Sequence, residues 1–261
     1  MHERLSFYIP RDSRLHQLNP LSKLLLSFTL IILAFFTAWY WTAPLLILIA
    51  IIPLAFLGKV HLEYMRAALR LLAPVMGFLF VMQSLFYPGG KTVLVQFFFL
   101  HLTVESIQFA FLTATRIFVM VSAFILLLLT THPSELMSDL VRRGMPGTLS
   151  YVIISTLQII PQMQAKAATI IAAQRSRGLD TEGSFRKRVG ALVPLVSPLV
   201  FGSLVEVEER AIAIEARAFS STLPKTSLRL IPDSRFDKVI RWVFVLLMIA
   251  AITSRLWLSL I

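Results

Sequence analysis

Two arginines forty residues apart, Arg177 and Arg217, close short runs of similar type. Ala173-Gln174-Arg175-Ser176-Arg177-Gly178 reads A-x-x-x-R-G, and Ala213-Ile214-Glu215-Ala216-Arg217-Ala218 reads A-x-x-x-R-A. Residues 165–173 and 206–218 are rich in helix formers. Gly178 stops the first run, and Ser220-Ser221-Thr222-Leu223-Pro224 breaks the second. Both arginines are therefore expected at helix C-termini. One arginine there is explained by the helix dipole, which favours a cation by about 0.3–1 kcal/mol. A second copy at a matching offset points to two similar acceptor sites, since a guanidinium fork pairs a carboxylate in fixed geometry.

Other chemistry finds little support. The Gly-Lys pairs Gly58-Lys59 and Gly90-Lys91 have Pro53 and Leu85 where a phosphate-binding loop needs glycine. His2, His16, His61, His101 and His132 lie in separate segments with no i, i+4 pair, so no catalytic zinc site is expected. No G-x-S-x-G is present. The chain has no cysteine, which removes disulfides, thiolate metal sites and cysteine nucleophiles.

The elements that must hold the arginines are set in a membrane-like chain. It is 57% hydrophobic with 20 phenylalanines, more apolar surface than one soluble core needs. Five spans are expected, at residues 21–39, 44–57, 71–87, 106–131 and 239–260, with Trp39-Tyr40-Trp41 as an interfacial belt. Pro44, Pro53 and Pro74 fall near span starts or inside spans, where neighbouring helices can serve the freed carbonyls. The N-terminal segment, up to the start of the first span, has Arg4, Arg11, Arg14 and Lys23. Lys59, Arg66 and Arg70 are expected in the loop after the second, and only Lys91 in the loop after the third. Residues 132–236 then hold 13 of the 25 basic residues. Basic loops alternate with poor ones, so the N-terminus is expected in the cytoplasm and the C-terminus outside. The first twenty residues carry Glu3, Asp12 and three arginines before any apolar run and do not read as a cleavable signal.

The net charge of +11 follows from this topology and from contact with anionic lipid or an acidic partner; no basic-aromatic platform points to nucleic acid. Within 132–236, the apolar runs 149–161 and 192–205 are too short to span, and spanning would carry Arg175, Arg177, Arg186, Lys187 and Arg188 outward. They read as long amphipathic helices at the inner face. Arg116, inside the fourth span, is expected to pair with Glu105 or to snorkel. The fold class is thus an all-α integral membrane protein of about five transmembrane helices plus long amphipathic cytoplasmic helices. It divides into 1–131 (N-terminal segment and four spans), 132–236 (cytoplasmic helices) and 237–261 (last span).

Four ordered motifs carry a resemblance. Tyr8-Ile9-Pro10-Arg11-Asp12-Ser13-Arg14-Leu15-His16-Gln17-Leu18-Asn19-Pro20-Leu21-Ser22-Lys23 resembles the opening of the EcfT/CbiQ family, the T components of energy-coupling factor transporters. Thr130-Thr131-His132-Pro133-Ser134-Glu135-Leu136 resembles the family's entry to its cytoplasmic helices. Residues 173–180 and 213–219 resemble its two A-R-G ends. The departures are Ala218 for the second glycine, Asn19 and Leu21 in the opening, and Gln158 where many members carry arginine. Loss of that glycine predicts no left-handed cap directly after Arg217.

The resemblance implies a non-catalytic scaffold in the bacterial cytoplasmic membrane that serves vitamin or transition-metal uptake. It joins two cytoplasmic ABC ATPase subunits of the EcfA type to a substrate-binding membrane S component. Ser176, Arg177, Gly178, Ala216, Arg217 and Ala218 would dock the ATPases. Ile154, Leu157, Val196 and Leu199 would contact the S component. The chain would bind no cofactor itself; ATP and Mg would belong to the ATPases. One rival is a membrane enzyme acting on an anionic lipid head group. It would need a convergent set from Glu135, Asp139, Asp180, Glu182, Glu206, Glu208, Glu209, Glu215 and His132. A second rival, a free-standing permease, would need more polar residues in its spans.

Overall fold

The computed structural model describes residues 8–37, 39–87, 92–97, 100–178, 185–221 and 233–260. Asp180 and Glu182 fall outside them. The chain forms two compact units. One is Ser6–Arg143 with Ile231–Ile261, and the other is Gly144–Leu230. The second unit lies inside the 132–236 segment marked out by charge, because residues 133–142 and Asp233 pack with the first unit.

The first unit begins with a one-turn helix, α1 (Arg14–Gln17), and then α2 (Pro20–Phe36). Asn19 caps α2, its side chain accepting from the Leu21 N–H at 3.0 Å, and Pro20 occupies the first turn, where a missing N–H costs nothing. Next come α3 (Thr42–Leu57) and α4 (His61–Phe86). A short antiparallel hairpin, β1 (Val93–Phe97) and β2 (Leu100–Thr103), precedes α5 (Val104–Thr130). Thr103 and Ser106 close a reciprocal capping box at the start of α5. Then follow α6 (Pro133–Arg142) and α9 (Arg235–Leu260). Ser234 and Asp237 cap α9 reciprocally, at 3.2 and 3.1 Å.

Among the described residues three helices are long and apolar enough to cross a membrane: α4, α5 and the Arg235–Trp257 part of α9. Two apolar helices, α2 and α3, are shorter. Helix α4 starts ahead of the expected 71, so Arg66 and Arg70 lie on a helix and not in a loop. Leu62, Glu63, Met65, Arg66 and Ala67 are all good helix formers and continue the apolar pattern backwards. Pro44 sits in the first turn of α3, while Pro53 and Pro74 are absorbed in one way. A π-helical turn, Ile47–Ile51, comes just before Pro53, and another, Ala68–Leu72, just before Pro74. A proline removes one N–H and crowds the carbonyl four residues back, and the widened turn relieves both.

The core is unlike a soluble one. Its least exposed members include Ala34, Ala43, Ala55, Ala123, Ser22, Ser106 and Ser122, while Ile49, Phe86 and Trp257 are about two-thirds exposed, at 67%, 66% and 69%. Small residues let helix backbones approach, and greasy side chains face outward, the arrangement a lipid solvent favours. Tyr64 Oη donates to Ser122 Oγ at 2.8 Å, and Ser27 Oγ donates to the Ala123 carbonyl at 3.2 Å. Arg116 does not join Glu105. Eleven residues of helix separate them by about 16 Å. The Glu105 carboxylate instead accepts from the Thr92 N–H and hydroxyl, at 3.3 and 2.8 Å. Arg116 Nε is buried without a hydrogen-bond partner among the described residues.

The opening motif and the 130–136 motif form one structure. Lys23 is buried, and its Nζ donates to the His16 carbonyl at 3.0 Å and the Thr130 carbonyl at 2.9 Å. Those carbonyls belong to the last turns of α1 and α5, where a cation also meets the favourable end of each helix dipole. The Ile9 N–H donates to the Leu129 carbonyl at 3.1 Å. His16 Nε2 donates to the Ile9 carbonyl at 3.0 Å, and the Ser13 hydroxyl lies 2.7 Å from His16 Nδ1. Nε2 is thus the nitrogen that carries a proton in this arrangement. Burial, reinforced by the Lys23 and Arg11 charges, lowers His16 below its ordinary value. Tyr8 packs edge-on against both His16 and His132. His132 Nδ1 in turn accepts from the Ser134 N–H at 3.2 Å and caps α6.

Replacing Lys23 by methionine removes two charge-assisted hydrogen bonds at once. We expect Lys23→Met to lower stability by about 2–3 kcal/mol, read as a fall in the thermal unfolding midpoint in detergent. An unchanged midpoint would mean that both carbonyls are served equally well without the ammonium.

Candidate docking surface on two arginine-ended helices

The Gly144–Leu230 unit is built on two long helices, α7 (Gly147–Ser176) and α8 (Phe185–Ala216). The apolar runs 149–161 and 192–205 are not separate elements. Each continues into the arginine-ended segment that follows it. Pro161 sits inside α7. The helix formers Gln162, Met163, Gln164, Ala165, Lys166 and Ala167 carry it onward, and so do Glu206, Glu208, Glu209, Arg210 and Ala211 beyond Pro194 and Pro198 in α8.

The two helices touch near their middles. Ser203 Oγ lies 3.5 Å from Met163 Sδ, and Lys166 forms an ion pair with Glu206. Glu206 also accepts from Arg210 at 3.1 Å, and Arg210 reaches Gln162 Oε1 at 3.5 Å. The Lys166 hydrogen bond, aided by Arg210, holds the Glu206 carboxyl below the usual carboxylate range. Met163 to Ser203 and Lys166 to Glu206 are both offsets of 40 residues. That is also the spacing of Arg177 and Arg217. Each arginine is thus eleven residues beyond its helix's crossing residue, about 16 Å along the axis.

The two ends have matching geometry. Helix α7 stops at Ser176, with the Arg177 N–H bonded to the Gln174 carbonyl and the Gly178 N–H to the Arg175 carbonyl, both at 3.0 Å. Gly178 then turns left-handed at φ +90°. Helix α8 stops at Ala216. The Ala218 N–H reaches the Glu215 carbonyl at 2.9 Å, and the Phe219 N–H reaches the Ile214 carbonyl at 3.2 Å. This paired closure is a Schellman motif. Ala218 adopts φ +56°, so the left-handed cap forms without the glycine, contrary to the sequence expectation. The ring of Phe219 lies 5.4 Å from that of Tyr151 and anchors the residue after the turn.

Ser176, Arg177, Gly178, Ala216, Arg217 and Ala218 are all exposed. Neither Arg177 nor Arg217 forms an ion pair with a described residue. The apolar candidates lie nearer the helix beginnings. Leu157 is 46% and Val196 55% exposed, while Ile154 and Leu199 are half-buried. Leu199 lines an open groove with Ala165, Thr169, Ile170, Pro198 and Gly202. The structure therefore assembles the arginine ends and the apolar residues on the same pair of helices, separated by the crossing.

Sequence reasoning did not find the Lys166–Glu206 crossing, although its offset equals that of the arginines. Two of the acids named for the lipid-enzyme reading are engaged in ion pairs: Glu206 in the crossing, and Asp139 with Arg143 Nε at 3.0 Å. Among the described residues no three His, Cys, Asp or Glu side chains gather as metal ligands.

An alanine held in the left-handed region costs roughly 1–2 kcal/mol relative to a right-handed residue. We expect Ala218→Gly to raise stability by about 0.5–1 kcal/mol, measured as a higher unfolding midpoint, with no change in the helices' position. A lower midpoint would mean that the Ala218 methyl contributes packing that outweighs the strain.

The model of the cobalt transport protein family CbiQ matches residues 11–228. The chain is 30% identical over 95% of both chains to the energy-coupling factor transporter transmembrane protein EcfT of Bacillus selenitireducens. It is 31% identical to the EcfT of Limosilactobacillus fermentum, covering 99% of this chain and all of that one. Against the EcfT of Lacticaseibacillus paracasei it is 32% identical, over 90% and 92%. With outward-facing apolar helices of spanning length and this match along nearly its whole length, the chain belongs to the CbiQ family, as the transmembrane T component of an energy-coupling factor transporter.

Proposed function

We propose that the chain carries motion from two cytoplasmic ATPase subunits to a substrate-binding membrane subunit, and that it catalyses nothing itself. ATP and Mg belong to the ATPases in this reading. The protein sits in the bacterial cytoplasmic membrane with its N-terminus inside. The cargo class is a vitamin or a transition-metal ion, the latter in keeping with the cobalt transport description of the family.

One observation carries the reading. Two exposed arginines end two crossed helices at equal distance from the crossing, each followed at once by a left-handed turn. A helix that stops sharply after an arginine presents the guanidinium at its tip, free to enter a groove and pair with a carboxylate. Two such tips suit two similar subunits. The apolar residues Ile154, Leu157, Val196 and Leu199 are set apart from those tips and suit an apolar partner surface.

The test has two arms. Truncating one side of a desolvated charge pair costs about 2–5 kcal/mol, so Arg177→Ala and Arg217→Ala should each weaken ATPase association, and the double change more. Arg→Lys should rescue only in part, and Arg186→Ala should do little. In the second arm, Ile154→Asp or Val196→Asp should release the membrane partner and leave the ATPases bound. If Arg177, Arg217 and Arg186 behave alike in co-purification, the pair is only a basic surface and the docking reading fails.

A further inference from the structure

A charged cluster stands where the chain leaves the spanning unit and returns to it. Arg142 and Arg143 are the last residues before Gly144, and Asp233 follows shortly after Leu230. The Asp233 carboxylate accepts from three guanidiniums: Arg241 at 2.7 Å, Arg143 at 3.2 Å and Arg142 at 3.5 Å. Arg143 also donates through Nε to Asp139, at 3.0 Å. Arg241 reaches Asn19 Oδ1 at 3.4 Å, and the Asn19 N–H donates to Asp237 Oδ1 at 3.2 Å. One carboxylate thereby joins the end of α6, the first turns of α9 and the cap of α2.

The contacts are graded. The Asp233 and Arg241 side chains are 9% and 10% exposed, whereas Arg143 is 32% and Arg142 50% exposed. Burial alone would raise the Asp233 carboxyl. The Arg241 hydrogen bond and the three guanidinium charges reverse that and hold it below its ordinary value. The inner Asp233–Arg241 pair is thus a firm anchor, and the outer arginines are weaker legs. If Arg143 lets go of Asp233, it keeps its bond to Asp139 on its own helix, so a leg can open without stranding its guanidinium.

We propose that this cluster is a clasp, with Asp233 as a positioning residue that ties the two ends of the coupling segment into a single pivot. The proposal rests on the coupling function inferred above. The Arg143–Asp233 contact closes a loop of 90 residues, so it opposes the full entropy of two independently attached ends. With the clasp shut, a displacement arriving at either end acts on α6 and α9 together. With it cut, the two ends yield separately and motion is lost before it reaches the spanning helices.

The test uses the complete transporter, with its own ATPase and substrate-binding subunits, in proteoliposomes. Asp233→Asn cuts the clasp at its centre. Arg142→Gln with Arg143→Gln cuts only the outer legs and spares the buried pair, in case the first variant folds poorly. Both should keep subunit stoichiometry and ATP hydrolysis, while cargo uptake per ATP falls roughly tenfold, within the usual range of coupling between sites. Unchanged uptake per ATP in both variants overturns the proposal, and so does loss of subunits in step with uptake. A second readout does not depend on transport. Spin labels at Val141→Cys on α6 and Lys238→Cys on α9, in a chain without native cysteine, should give a narrow distance distribution that widens with Asp233→Asn. An equal width overturns the clasp even if the docking reading stands. A widened distribution alongside intact ATPase association in Arg177→Ala and Arg217→Ala keeps the clasp and removes the docking.

Discussion

A single buried ammonium ties together the parts of this protein that sequence alone presents as unrelated. Lys23 lies on α2, yet it serves the last carbonyls of both α1 and α5. Helix-end carbonyls that are buried away from water must be satisfied from within the protein. One cation that meets two helix C-termini does this economically, and it fixes where the chain turns out of α5 toward α6. The rest of the opening motif serves the same junction. Ile9 pairs with the Leu129 carbonyl, His16 holds Ile9, and Tyr8 rests on His16 and His132. Two motifs more than a hundred residues apart in sequence are the two halves of one joint.

The spanning helices solve a second problem by geometry alone. Alanines and serines stand in their core beside Leu30, Ile51, Val60 and Val119, so close backbone approach adds to side-chain packing. The prolines within α3 and α4 would break such close contacts if they kinked the helices sharply. Pro53 and Pro74 are each preceded instead by one widened turn. Ile51, Ala68 and Leu72, which lie in those turns, are themselves buried.

Much of the site was readable because it depends on local chemistry. Arg177 before Gly178, and Arg217 after a run of helix formers, announce helix ends through propensity and stop signals. The membrane class follows from composition. Other features depend on long-range contacts that leave little trace in a window of residues. Helix α7 runs through Pro161 because the segments on either side are both helical, and no local rule decides between a kink and a break. The left-handed Ala218 is held by the Tyr151–Phe219 ring contact, which spans most of that unit. Helix α4 begins earlier than the pattern suggests because Arg66 and Arg70, which look like loop charges, also fit the exposed face of a helix. The Asp233 cluster unites residues from three separate stretches and has no motif at all.

The forty-residue register of α7 and α8 has a mechanical meaning. Lys166 and Glu206 fix a fulcrum, and eleven helical residues beyond it give two arms of matched length, about 16 Å each. A scissor-like rotation of about 10° at that fulcrum sweeps each arginine through roughly 3 Å, close to the length of one hydrogen bond. Because the arms match, such a rotation would move both tips equally, and in the proposed coupling role the two would share it evenly. An insertion of one residue in either arm would unbalance the pair twice over, lengthening one arm by about 1.5 Å and rotating its arginine by roughly 100° about the helix axis.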